Sequence, residues 1–255
     1  MKLPMLCTLI AGAVVQAGCV TEGVIRAEPA SDEEQAEVNL ALGVGYLEEG
    51  RPDLAIEALL RAVDAEPRMP RAHSALAVAY DQNGSIDLAE EHHRRAAQLA
   101  PRDVNTQNGL AVFLCRQNRW TDAEPAFLRA IDAGSGPFSL SVMLNAAGCA
   151  RGGGDFESSA NYFRQALEID SINVDALRGM IDVSIRMSNF LAARAFFQRL
   201  ERATSVLAED LLSCYVIERE LNSVASADAC ADRLAREFPG SPVLAQLRSF
   251  VPDGG

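Results

Sequence analysis

Residues 36–103 read AEVNLALGVGYLEEGRPDLAIEALLRAVDAEPRM followed by PRAHSALAVAYDQNGSIDLAEEHHRRAAQLAPRD, and the second half restates the first position by position. Leu42-Gly43, Tyr46, Ala55, Leu59, Ala62 and Pro67 recur thirty-four residues on as Leu76-Ala77, Tyr80, Ala89, His93, Ala96 and Pro101. The pattern makes sense as two packed helices per copy, A and B. Gly43, Ala77, Ala55 and Ala89 allow close approach, while Tyr46, Leu59 and Tyr80 fill the space between. Pro67 and Pro101 disfavour helix in the residue before them and so help to stop helix B. One such pair cannot bury its apolar face alone, so pairs must stack.

A period of thirty-four with small, aromatic and proline residues at these positions resembles the tetratricopeptide repeat (TPR). Carried along the chain, the frame gives repeats at 36–69, 70–103, 104–137, 140–173, 174–207 and 208–241, with two extra residues before the fourth. A short last helix at 242–250, with Val243, Leu244, Leu247 and Phe250, is placed to cover the open end. The expected fold is all-α: a right-handed superhelical solenoid of six TPR helix pairs plus a C-terminal capping helix. In repeat three, Thr121 to Glu124 reads as a capping box opening helix B, with Pro125 in the first turn.

With 6% aromatic residues in 255, the chain is poor in what a β-sandwich or barrel would need. A net charge of −12 weighs against nucleic acid as a partner. Its three histidines, His73, His92 and His93, all fall in repeat two, and the residue type His93 replaces is a packed core residue. Gly152-Gly153-Gly154 lacks the preceding strand and following Lys-Ser or Lys-Thr of a phosphate loop, and it falls at an A-to-B turn. No catalytic residues, metal ligands, cofactor or small-molecule substrate are expected.

Residues 1–18 read as a signal peptide: Lys2 is basic, Leu3 to Val15 is apolar, and the exit is small. Ala17-Gly18-Cys19 resembles the bacterial lipobox, which implies acylation of Cys19, and Val20 after it implies sorting to the outer membrane. Residues 19–35 would be a lipidated tether, with Ser31 capping the first helix. Four cysteines then remain, and an even number in an exported chain points to disulfides. Cys115 and Cys149 lie late on neighbouring A helices, whose axes pack about 8–10 Å apart, close enough for facing side chains to bridge. Cys214 and Cys230 lie on the two helices of repeat six. The alternative is four small buried thiols.

The groove of a TPR protein is lined by positions two, five, nine and twelve of each A helix. Here these include Leu40, Val44 and Leu47, then Arg71, Ser74, Val78 and Asp81, then Asn105, Asn108 and Val112, with Ser141, Leu144, Gly148 and Arg151 in repeat four and Asp175, Arg178, Asp182 and Ile185 in repeat five. Apolar residues mixed with amides suit an extended protein segment, and the plain alternative is exposed helix surface. Gln107-Asn108-Gly109-Leu110-Ala111-Val112-Phe113-Leu114-Cys115-Arg116-Gln117 resembles the Asn-rich segment ending in Phe-Leu-Cys of the type IV pilus biogenesis and stability lipoproteins, the pilotins of the pilus secretin. Asn145 to Cys149, Ala192 to Arg199, and Glu218 to Leu221 followed by Phe238-Pro239 are similar to further segments of that family. The resemblance implies a non-enzymatic outer-membrane lipoprotein that faces the periplasm, binds the pilus secretin subunit and promotes its localisation and multimerisation. The alternative is a TPR lipoprotein adaptor of another envelope assembly system, such as the tight-adherence pilus or outer-membrane protein assembly.

Overall fold

A computed structural model describes residues 31–134 and 136–250. The expected signal peptide, Cys19 and most of the tether lie outside the described residues, as does the Phe250 side chain. Among the described residues thirteen helices follow one another: α1 (Asp32–Glu48), α2 (Pro52–Ala65), α3 (Pro70–Asn83), α4 (Ile86–Leu99), α5 (Val104–Arg116), α6 (Trp120–Ala133), α7 (Pro137–Gly152), α8 (Phe156–Ile169), α9 (Val174–Arg186), α10 (Phe190–Ala203), α11 (Ala208–Glu220), α12 (Val224–Glu237) and α13 (Pro242–Phe250). There is no strand among the described residues. Odd-numbered helices up to α11 are the A helices, and each packs against the B helix that follows it.

Every A helix ends the same way. One residue turns left-handed, at Gly50, Gly84, Asn118, Gly154, Ser188 and Asn222. The amide after it donates to a carbonyl five residues back, as from Ser85 to Tyr80 (2.8 Å) and from Asn189 to Ser184 (2.8 Å), so carbonyls that the helix end would orphan are satisfied. These turns fall thirty-four residues apart, except for thirty-six between Asn118 and Gly154. The two extra residues are absorbed in α7, which is 16 residues long and begins at Pro137 rather than at 140. Where B helices yield to A helices, Asp103 and Asn173 accept the amide protons of Thr106 (2.7 Å) and Ala176 (3.0 Å).

Two boundaries differ from the sequence reading. Helix α1 begins at Asp32, so residues 32–35 are helical and not tether; Asp32, Glu33 and Glu34 place negative charge where a helix N-terminus favours it. Helix α6 begins at Trp120 with Arg119 before it and no side-chain cap, so Thr121 lies inside the first turn and caps nothing. Pro125 then sits beyond the first turn, where its missing amide forgoes a bond to the Thr121 carbonyl.

The core is built from small residues at close helix contacts. Ala55, Ala62, Ala89, Ala111, Ala123, Ala147 and Ala193 are wholly buried. Gly43 receives the Leu59 side chain and Gly179 the ring of Phe163, with no room for a methyl group at either. The apolar interior falls into two clusters. One runs from Ala36 to Ala79, the other from Ala89 to Leu247, and Tyr80 packs against both. At the far end Val243 and Leu247 of α13 are buried against the last repeat.

Candidate functional site

Consecutive A helices pack closely, α1 with α3 and so on to α9 with α11, whereas among the described residues no two B helices bring their backbones together, and α10 and α12 meet through the long side chains of the Arg233–Glu201 ion pair (2.6 Å). A stack that is close on one edge and splayed on the other curves with its A helices inside. Their outer side chains therefore line the concave face.

Along that face Val44 and Val78 are exposed and Val112 is half-buried, forming an apolar stripe across repeats one to three. Leu47, Ser74 and Leu144 are half-buried beside it, and Asn105 is exposed. Leu40 is a correction to the groove reading. It is buried in the first core cluster with Ala36 and Leu59 and cannot touch a partner. Four of the expected groove residues bond to the neighbouring A helix. Arg71 pairs with Glu37, and Asp81 with Arg116. Asn108 accepts from Asn145 (3.2 Å), and Arg151 pairs with Asp182 (3.3 Å). These links hold A helices in register, and a partner reaching them would exchange one set of polar bonds for another.

A hollow of about 580 Å³ lies farther along, between α7, α9 and α11. Leu144, Gly148 and Arg151 line one side, Asp175 and Arg178 the other, and the Phe163 ring shows through beneath Gly179. Arg178 grips Asp210 through Nε (3.0 Å) and Nη2 (2.9 Å), and that pair holds the guanidinium above its usual range. Asp210 also accepts the Leu207 amide proton (2.8 Å), so it is fully engaged. Repeat six contributes Glu209, Asp210 and Ser213 to this cleft. The groove spacing read from the sequence reaches Asp175, Arg178 and Asp182 of this cleft but not its α11 side, Glu209, Asp210 and Ser213; a helical glycine such as Gly179, costly unless it admits a neighbour, was a further available signal.

The histidines do come together. His73 Nδ1 and His92 Nδ1 are 2.9 Å apart, and His73 Nε2 is 3.1 Å from the Pro67 carbonyl oxygen. A carbonyl only accepts, so Nε2 carries the proton, His73 Nδ1 accepts, and His92 Nδ1–H donates. The His92 ring stacks on His73 and on Tyr80. His93 packs against Phe113, and burial pushes its pKa down to about 4. Burial lowers those of His73 and His92 as well. His73 and His92 thus stack on and bond to one another, and His93 packs separately into the core against Phe113.

The structure also pairs the cysteines: Cys115 with Cys149 at a Cα separation of 5.7 Å, and Cys214 with Cys230 at 6.0 Å. Among the described residues no group of three His, Cys, Asp or Glu side chains could hold a metal ion.

Stacked helix pairs with an A-helix concave face define a helical-repeat scaffold of the kind that binds proteins. Tetratricopeptide repeat models match residues 40–104 and 102–171, and the chain is a tetratricopeptide repeat protein. Among solved structures it is similar in fold to Pseudomonas aeruginosa PilF, with a TM-score of 0.69, 23% identity, and coverage of 86% of this chain and 99% of that one. It is also similar to PilW, a widely conserved type IV pilus biogenesis factor, with a TM-score of 0.69, 22% identity, and coverage of 84% and 98%. YrrB, a TPR protein with an unusual peptide-binding site, matches with a TM-score of 0.63, 12% identity, and coverage of 76% and 99%. No curated protein sequence matches the chain.

Proposed function

We propose that this chain is a non-enzymatic lipoprotein of the outer membrane, anchored through Cys19 and facing the periplasm, that binds a type IV pilus secretin subunit and promotes its localisation and multimerisation. The observation that carries this reading is likeness in fold to PilF and PilW over more than four-fifths of the chain. The Gln107 to Gln117 segment and the Ala17-Gly18-Cys19 lipobox support it from the sequence. The concave face would do the capturing, with the valine stripe taking apolar side chains and the α7–α9–α11 cleft the polar end of an extended segment. A lipid anchor raises the local concentration of the captured subunit at the membrane. The two cysteine pairs fit an oxidising compartment and are proposed to be disulfides there.

Two experiments test this. Val78→Asp combined with Asn108→Arg places charge on the stripe and severs the Asn145 contact, and it should abolish secretin pull-down while changing the melting temperature by only a few degrees. Undiminished secretin recovery would remove the groove from the proposal, and a wild-type protein that recovers no secretin would favour the adaptor of another envelope system. Cys19→Ser should release the protein to the soluble fraction; unchanged fractionation would refute the anchor.

A further inference from the structure

Away from the cleft, α6, α7 and α8 enclose a small pocket of about 120 Å³. One wall is Trp120, whose indole lies on the backbone of Gly152 and Gly153; a methyl group on either glycine would come within 2.8 Å or 2.7 Å of it. Phe127 and Tyr162, both buried, add aromatic lining, and the exposed Glu124 and Asp155 bring carboxylates. No lysine or arginine lines the pocket. Its volume falls well short of the roughly 300–1,000 Å³ of a typical ligand site and suits a single side chain.

One repeat along, the chain sets a cation of its own beside the equivalent aromatic. Counting from the left-handed turn residues Gly154 and Ser188, Arg186 occupies the position of Gly152, and Phe156 opens α8 as Trp120 opens α6. There the Arg186 guanidinium sits over the Phe156 ring, 5.7 Å from its centroid. In the earlier repeat the arginine is replaced by glycine and the aromatic is a tryptophan, the best cation–π acceptor. The paired carboxylates are particular to this copy: in the next one the counterparts of Glu124 and Asp155 are Ala160 and Asn189, and in the preceding one they are Glu90 and Arg119, which form an ion pair (2.8 Å).

We infer that the Trp120 pocket receives one arginine or lysine side chain presented by a protein partner. The aliphatic stem would lie along the indole, and the cationic head would reach Glu124 and Asp155 at the mouth. The electrostatics agree. Hydrogen bonds from Ser158 hold the Asp155 carboxyl below its usual range, so it is ionised, while burial together with the Glu124 and Asp155 charges pushes the Tyr162 hydroxyl up. Such surroundings leave negative charge uncompensated, which a cation would neutralise.

Trp120 is the chain's single tryptophan, so its emission reports the site directly. Titration with N-acetyl-arginine amide should give a saturable change with a dissociation constant on the order of millimolar, as expected for so small a ligand. The double variant Glu124→Gln, Asp155→Asn removes both charges, and asparagine still caps α8; it should weaken binding by about tenfold or more at an unchanged melting temperature. No saturable response up to ~50 mM would overturn the inference. So would an equal response to N-acetyl-leucine amide, which would mark an apolar side-chain site, or undiminished binding by the double variant.

Discussion

Gly179 shows how much a missing side chain can decide. A Cβ there would stand 2.1 Å from the Phe163 ring, so Gly179→Ala must displace either the ring or helix α9. The expected loss is about 1–3 kcal/mol, read as a lower midpoint in denaturant melts. Gly45 is the control, since nothing lies within 4 Å of its would-be Cβ, and Gly45→Ala in helix α1 should be neutral or stabilising by up to about 1 kcal/mol. His93 governs a second prediction. Its folded pKa of about 4 lies below the ordinary histidine value of 6.5. Above pH 6.5 the ring is neutral in both states and no stability is lost. As pH falls below that value the unfolded chain takes up a proton that the folded chain refuses until about pH 4, so stability declines across this window. For His93 alone the loss by pH 4 is roughly 3 kcal/mol. Because carboxylates titrate there too, the check is a comparison: His93→Leu should show a shallower decline than the parent, and parallel curves would refute the assignment.

Among the elements, the A-to-B turns are where local chemistry is least uniform. The same left-handed backbone is supplied by glycine at 50, 84 and 154, by asparagine at 118 and 222, and by serine at 188. Serine tolerates φ = 56° least well of the three, so Ser188→Gly should relieve local strain and raise stability by about 1 kcal/mol, visible as a higher melting temperature. A fall would mean that the Ser188 side chain has a role that outweighs its backbone. The recurrence of these turns is also why the architecture was legible in the sequence: Leu42 to Pro67 and their copies fix helix pairs, turns and register together. The start of α6 was not, because Thr121 to Glu124 satisfies the local rule for a cap while tertiary packing begins the helix two residues before that box would, at Trp120. The site was half legible. Period and residue type place Val44, Val78 and Val112 on the inner face, but Leu40 obeys the same spacing and is buried. The cleft depends on Phe163 meeting Gly179 across two helices, and the Trp120 pocket on Gly152-Gly153, whose sequence marks only a turn.

At the scale of the whole solenoid, the two-part core has a consequence. Stacked repeats owe their cooperativity to the interfaces between neighbours, and an interface short of apolar contact is where the array separates. The seam falls in repeat two, where the Ala36–Ala79 cluster gives way to the Ala89–Leu247 cluster and His73, His92 and His93 occupy the space between. The Cys115–Cys149 and Cys214–Cys230 pairs both lie on the far side and do not tie down α1 to α3. Amides of α1 to α3 should therefore exchange with deuterium through an opening of lower free energy than those of α5 to α12. The opening should also be acid-sensitive. His73 and His92 share one hydrogen bond in which His73 Nδ1 must be unprotonated to accept, and burial lowers the pKa of each ring. Glu91 favours their protonation, while Arg95 opposes that of His73, and the net direction stays downward. Opening frees both rings to take protons as pH drops below 6.5, so the opening free energy of α1 to α3 should fall between about pH 7.5 and about pH 5, after correction for intrinsic exchange, while that of α7 to α12 changes less. His92→Phe keeps the stack on Tyr80 without the proton and should flatten this dependence. Uniform protection across all six repeats at both pH values would mean that the histidines join the two cores as firmly as leucines would.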